Sequence, residues 1–389
     1  MDDYVNVDDY VDVNVHVIVY AHVHQNHKTN FRIAATLRLS MSDQFAYVGT
    51  YTPSGSAGIY AYQVDAATEQ LTQTSTAKSN NPSFLAFHPN KRVLYAVSEE
   101  GELKGIISAF AIDPNTGALS FLNQQPTNGS APCHVVVDAS GQSVITANYS
   151  SGSLCVFPIA ADGTLSPMSD FVQHSGSGPD KARQEGPHAH SVNLSPDNRF
   201  VFACDLGLDR VFIYALDAEK GKLTLHGEAR TAPGAGPRHF AFHPNGKFAY
   251  AINELDSTVT AFRYDTAAGS LSEIQAISTL PEGFSGTSYC ADIHVHPSGK
   301  YVLGSNRGHD SLAIFAVDEA TGQLTSLGQT STGGGWPRNF AIAPSGKHVF
   351  VANQYTDNVV QFAFDAATGQ LTPTGHVISV PTPVCIKFL

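Results

Sequence analysis

Charge is scarce in this sequence. Only 14% of its 389 residues are Asp, Glu, Lys or Arg, against roughly 25% in an ordinary soluble domain. What charge there is leans acidic, with 34 Asp and Glu against 22 Lys and Arg, a net of −12. No basic cluster of any size occurs, and a nucleic-acid partner would demand a basic face, so none is expected. A long apolar run is missing as well. The opening residues alternate Val with polar side chains, too polar to cross a bilayer, so no membrane partner is expected. That stretch also lacks the basic leader and apolar centre of a secretory signal. The five cysteines stand far apart without a Cys-x-x-Cys pair, which argues against a disulfide framework or a structural zinc site. A reducing cytoplasm fits such usage. Also missing are G-x-S-x-G, H-E-x-x-H, a phosphate-binding P-loop and a G-x-G-x-x-G after a strand. The scattered histidines have no ligand spacing, so neither a metal nor a cofactor is expected.

Helical periodicity is the last absence, and it turns attention to what is present. Val, Phe, Tyr and Thr recur in short runs that favour sheet. The length exceeds what one hydrophobic core supports, so a repeat or several domains is required. The repeat is visible. From Pro237 the chain reads PRHFAFHPNGKFAYAINELDSTVTAFRYDTAAGSLS, and from Pro337 PRNFAIAPSGKHVFVANQYTDNVVQFAFDAATGQLT. Each holds an apolar strand, a Pro-x-Gly-Lys turn, a second strand ending in Asn, a third ending in Asp, and a Gly-x-Leu hairpin into a fourth. Equivalent starts fall at Pro82, Pro132, Pro187, Cys290 and Pro383, giving successive spacings of 50, 55, 50, 53, 47 and 46 residues. That period belongs to four-stranded propeller blades.

The chain ends set the count. PVCIKFL at 383–389 supplies one strand of a unit, and QFAYVGTYTPSGSAGIYAYQVDAATEQLT at 44–72 supplies its missing part. The fold predicted is all-β: a seven-bladed β-propeller whose terminal strands share one blade and close the ring. One domain spans 41–389. Residues 1–40 read as an extension, either disordered or an artefact of the translation start at Met1 rather than Met41.

Inner strands of a propeller converge on a central channel, so ionisable residues at their repeated positions stand out. The inner strands carry His188 and His190, then Arg238 and His239, then Asp292 and His294, then Arg338, while Glu254 and Arg307 close the following strands. Buried charges cost several kcal/mol unless paired, so their clustering points to a site. The strings Gly236-Pro237-Arg238-His239, Asn253-Glu254-Leu255, Asp292-Ile293-His294, Ser305-Asn306-Arg307-Gly308-His309-Asp310 and Pro337-Arg338 together resemble the seven-bladed lactonase family over about residues 43–389. That family holds the propeller-type 6-phosphogluconolactonases and, more distantly, carboxymuconate cyclases.

The resemblance implies hydrolysis of 6-phosphogluconolactone in the oxidative pentose phosphate pathway, on a small anionic lactone. It also implies a working His, Arg and Glu. Arg238 and Glu254 match the Arg and Glu, and register favours His190 over His188 for the His. Chemically, His190 or Glu254 could activate water, with Arg238 facing the oxyanion. Arg307 and Arg338 would hold the phosphate, and His188, His239, Asp292 and His294 would complete the substrate site. Two other functions fit the same residues less directly: a muconate-type lactonising cyclase, or a non-catalytic interaction platform. Oligomeric state is not legible.

Overall fold

The computed structural model describes residues 45–389; the predicted 1–40 extension lies outside the described residues. Seven four-stranded antiparallel sheets form the blades, six in plain chain order and one assembled from both termini. In that closing blade Pro383–Phe388 pairs antiparallel with Phe45–Thr50, matching Ala46 to Phe388 and Gly49 to Cys385. The first strands of successive blades contact one another all the way round. They are Leu85–Phe87, Pro132–Val137, Ala189–Leu194, Pro237–Phe242, Tyr289–Val295, Pro337–Ile342 and Pro383–Phe388. Among the described residues no helix is long and apolar enough to cross a membrane.

The repeated turn explains how blades lock together. In the His-Pro turns the imidazole Nδ1 of His88, His243 and His296 accepts a backbone N–H two residues on, at 3.0–3.1 Å. Nε2 therefore carries the proton and donates to the carbonyl of Gly141, Gly299 or Gly346 in the next blade's turn. A second clamp uses strand two. Tyr47, Tyr95 and Tyr250 donate to Gly117, Gly163 and Gly322, each on the hairpin of the following blade. These buried donors are all satisfied, which places the recurring histidines in structure.

One detail of register differs from the sequence expectation. Ala189, pairing with Asp205, occupies the place of Pro237, which pairs with Asn253. The third unit's strand thus begins two residues after Pro187, and Asp205 takes the position of Asn253. Leu206 corresponds to Glu254.

Candidate active site

Six of the seven inner strands are irregular near their start. Pairing slips at Cys133, His190, Arg238, Arg338, Val384 and across Ala291–Asp292. A β-bulge inserts one residue and re-aims its side chain. Here the bulged residues Cys133, His190, Arg238, Arg338 and Val384 all line one pocket, joined by Ser83, Phe84, Glu99 and His239. A second ring follows sixteen residues later, just past strand two. Glu99, Tyr149, Leu206, Glu254, Arg307 and Gln354 stand sixteen residues after Ser83, Cys133, His190, Arg238, Ala291 and Arg338. The Arg238–Glu254 spacing is thus shared by the six blades built in chain order, and what distinguishes this blade is its chemistry.

Glu254 is the electrostatic centre. Its Oε1 accepts from Arg183 Nη2 at 2.5 Å and its Oε2 from Arg307 Nη2 at 2.7 Å. Arg238 Nε lies 3.0 Å from Oε2, an ion contact outside hydrogen-bond geometry. Burial alone would raise this carboxyl, but Arg307, Arg238 and Arg183 outweigh it and hold the group ionised, well below the usual carboxylate range. Arg238, buried and facing Arg307 and Arg338, is pulled down to about 10. Its Nη1 donates to the Ala291 carbonyl and meets His239 Nε2 at 3.3 Å. Arg307 also donates to the Tyr289 and Cys290 carbonyls and lies over the Trp336 ring. Arg338 has the loosest pairing, with Glu99 at 3.9 Å, and rests over Tyr51.

His190 sits at the pocket floor with its Nδ1 3.7 Å from the Cys133 thiol, which also contacts the His190 carbonyl at 3.2 Å. Burial, then the charges of Arg238, His239 and Arg338, push His190 well below the ordinary imidazole value, so it is neutral at pH 7. Burial, with Glu99 nearby, raises the Cys133 thiol and keeps it protonated. The enclosed space here is about 10 Å³, room for one water.

The remaining predicted residues are arranged around this floor, not all upon it. His188 belongs to the rim: its ring stacks on Tyr149 at 4.6 Å and its Nδ1 meets the Tyr149 carbonyl. Asp292 is behind His239 and takes donors from His239 Nδ1 at 2.7 Å, His294 Nε2 at 3.0 Å and Asn339 Nδ2 at 2.5 Å. Because Asp292 accepts at Nδ1, His239 is fixed with Nε2 toward Arg238, making Asp292 a positioning group. The structure does not bring His294 to this pocket. It lies two residues past Asp292 on an extended strand and lines the opposite half of the channel. Between the halves, Phe84 stacks on His134 at 4.0 Å and His239 packs edge-on against both.

Sequence reading missed Arg183, Tyr51 and Cys133. Arg183 stands on the loop between Asp170–Gln173 and Ala189–Leu194, pinned where His174 Nδ1 meets Asp205 at 2.6 Å and Gln184 reaches Asp209 at 2.7 Å. The only signal was that loop's length, visible as the longest repeat spacing. Arg238 and Arg307 converge on Glu254, and Arg338 joins Arg238 in the pocket, as a platform without chemistry would not require.

Comparison with known proteins gives a consistent picture. A family model described as "Lactonase, 7-bladed beta-propeller" matches residues 45–388. The 6-phosphogluconolactonase of Bacillus subtilis (strain 168) is 44% identical over 351 residues, covering 90% of this chain and 99% of that one. A crystal structure from Bacteroides fragilis superposes with a TM-score of 0.85 at 41% identity, covering 92% of this chain and 100% of the other. The periplasmic gluconolactonase of Pseudomonas aeruginosa follows at 0.84 and 34%, covering 89% and 99%.

Proposed function

The chain belongs to the seven-bladed β-propeller lactonase family, and from that membership we propose that it hydrolyses 6-phosphogluconolactone to 6-phosphogluconate. The observation that carries the phosphorylated substrate is a charge count. Arg238 and Arg338 line the pocket with Glu99, and Glu254 holds Arg183 and Arg307 beside Arg238; with Asp292 set apart behind His239 on the other half of the channel, four cations less two anions leave a surplus of two. A phosphate dianion matches that surplus. Arg338, least engaged of the four, is free to turn toward it, and Arg183, held by Glu254 but with its side chain 33% exposed, keeps donors open to it.

The charge states favour one division of the roles that the sequence left open. Glu254 is a poor base, because a carboxylate whose conjugate acid is so strong has little tendency to take a proton from water near pH 7. It serves to hold Arg238 and Arg307 in place. His190, neutral and at the pocket floor, is the base that activates water. The water attacks the lactone carbonyl, Arg238 faces the oxygen as charge grows, and the ring C–O bond breaks with the proton passing from His190 to the leaving alkoxide. The same charge state argues against the muconate-type reading, which needs a Glu that exchanges protons. All five cysteines are buried and free, which supports a reducing cytoplasmic setting, and the catalytic unit is taken as residues 41–389.

Purified protein should accelerate hydrolysis of freshly generated 6-phosphogluconolactone above its spontaneous rate and act less well on glucono-δ-lactone. Arg338→Gln should raise KM for the phosphorylated substrate by about tenfold or more and leave the sugar lactone little changed. No acceleration, or equal losses on both substrates, would refute the phosphate assignment.

A further inference from the structure

The channel has a second mouth, on the far side of the Phe84–His134–His239 plug. Its wide part has a volume of about 560 Å³, and a side lobe adds about 270 Å³; ligand cavities generally fall between about 300 and 1,000 Å³. The inner strands explain its lining. In five of them the burial pattern ends with two partly open residues after four buried ones. The last of these positions is apolar in every blade: Phe87, Val137, Leu194 and Phe242 on the wide side, with Val295, Ile342 and Phe388 round the side lobe. Each of these side chains packs one side against a blade core and keeps the other partly open, so the edges of the cores form an apolar wall around the plugged channel.

Into this apolar ring projects one strong cation. Lys387 lines both lobes and sets its ammonium 4.6 Å over the Phe84 ring. Among the described residues it has no carboxylate partner. The nearby acid, Asp292, is already engaged by His239, His294 and Asn339. A half-buried lysine with no carboxylate partner at an apolar junction is complementary to a single anionic head on an apolar body.

We infer that this lower mouth is a second binding site, for an amphipathic monocarboxylate whose acid group meets Lys387 and whose aromatic or branched body fills the apolar ring. The inference does not rest on the lactonase reading, because the plug separates the two halves.

Calorimetric titration of the full chain with 3-phenylpropionate tests it. Saturable binding is expected, about tenfold weaker in Lys387→Met and restored in Lys387→Arg. Lactonase rate should be unchanged in both variants, and saturating inorganic phosphate, which occupies the arginine pocket, should leave the titration unaltered. The neutral analogue 3-phenylpropan-1-ol should bind wild type and Lys387→Met equally weakly. The inference is overturned by an absence of saturable binding, by equal affinity for wild type and Lys387→Met, or by displacement with phosphate, which would put the carboxylate on the upper arginines.

Discussion

Replacing Glu254 with Gln keeps the shape of the side chain and removes one negative charge from among three guanidinium groups. Those groups approach within 2.5 Å for Arg183, 2.7 Å for Arg307 and 3.0 Å for Arg238. At an effective dielectric of about 20, each such contact is worth roughly 6 kcal/mol of Coulomb energy before desolvation is subtracted. Arg183, a third exposed, contributes less because solvent screens it. Stranding buried cations in this way costs about 3–5 kcal/mol overall, so Glu254→Gln should lower the urea midpoint markedly. Catalysis should also suffer, by roughly ten- to a hundredfold in kcat, because Arg238 loses the anchor that aims it. Phosphate binding should move the other way. The pocket's surplus rises from two charges to three, worth roughly 1 kcal/mol after screening, so inorganic phosphate should inhibit about fivefold more tightly. Most tellingly, the acid limb of the kcat/KM profile should survive in Glu254→Gln, since His190 sets it. Loss of that limb with stability intact would make Glu254 the base and refute the division of roles.

Two other outcomes follow from the same geometry. His190→Ala should cost about 10²–10⁴-fold in kcat, the usual worth of a general base; in wild type the acid limb should fall well below pH 6.5, because the buried imidazole is pushed below its ordinary value and resists protonation. A limb near or above 6.5 would refute that environment. Stability should carry a related signature. Burial and Arg238 lower His239 from 6.5 to about 4, so the unfolded chain binds the proton first and stability falls as pH drops from 6.5 toward 4. That group alone accounts for about 3 kcal/mol once the pH is below both values, and His134 and His190 act in the same direction; unchanged urea midpoints between pH 7 and 4.5 would contradict it.

Much of the architecture was legible because blade-forming signals are local. The Pro-x-Gly turn, the Asn ending strand two and the hairpin Gly recur within some fifty residues, and each is a statement about backbone conformation at its own position. Even the shared closing blade could be read from two half-patterns. The third unit was misplaced by two residues, because Pro187-His188-Ala189-His190 offers two similar starts and only the pairing of Ala189 with Asp205 chooses between them. Site residues were partly legible as departures from the repeat, as with Arg238, Glu254 and Arg338. Arg183 was not, since a long loop carries no periodicity against which to stand out.

The sequence by itself determined the number of blades, their closure and the identity of most groups near the channel. Tertiary structure decided which side of the plug each group serves, and in what charge state. Arg338 and His294 look alike as departures from the repeat, yet their equivalent inner strands deliver them to opposite mouths, because Arg338 stands at its strand's bulge and His294 two residues past the irregularity in its own. Glu254 is held ionised by Arg307 of the next blade, Arg238 of its own and Arg183 of the loop before Ala189, and His190 is held neutral first by burial and then by Arg238, His239 and Arg338 of other blades. Coulomb energy depends on distance through the folded protein and on the water excluded along it, and neither quantity exists until the ring closes.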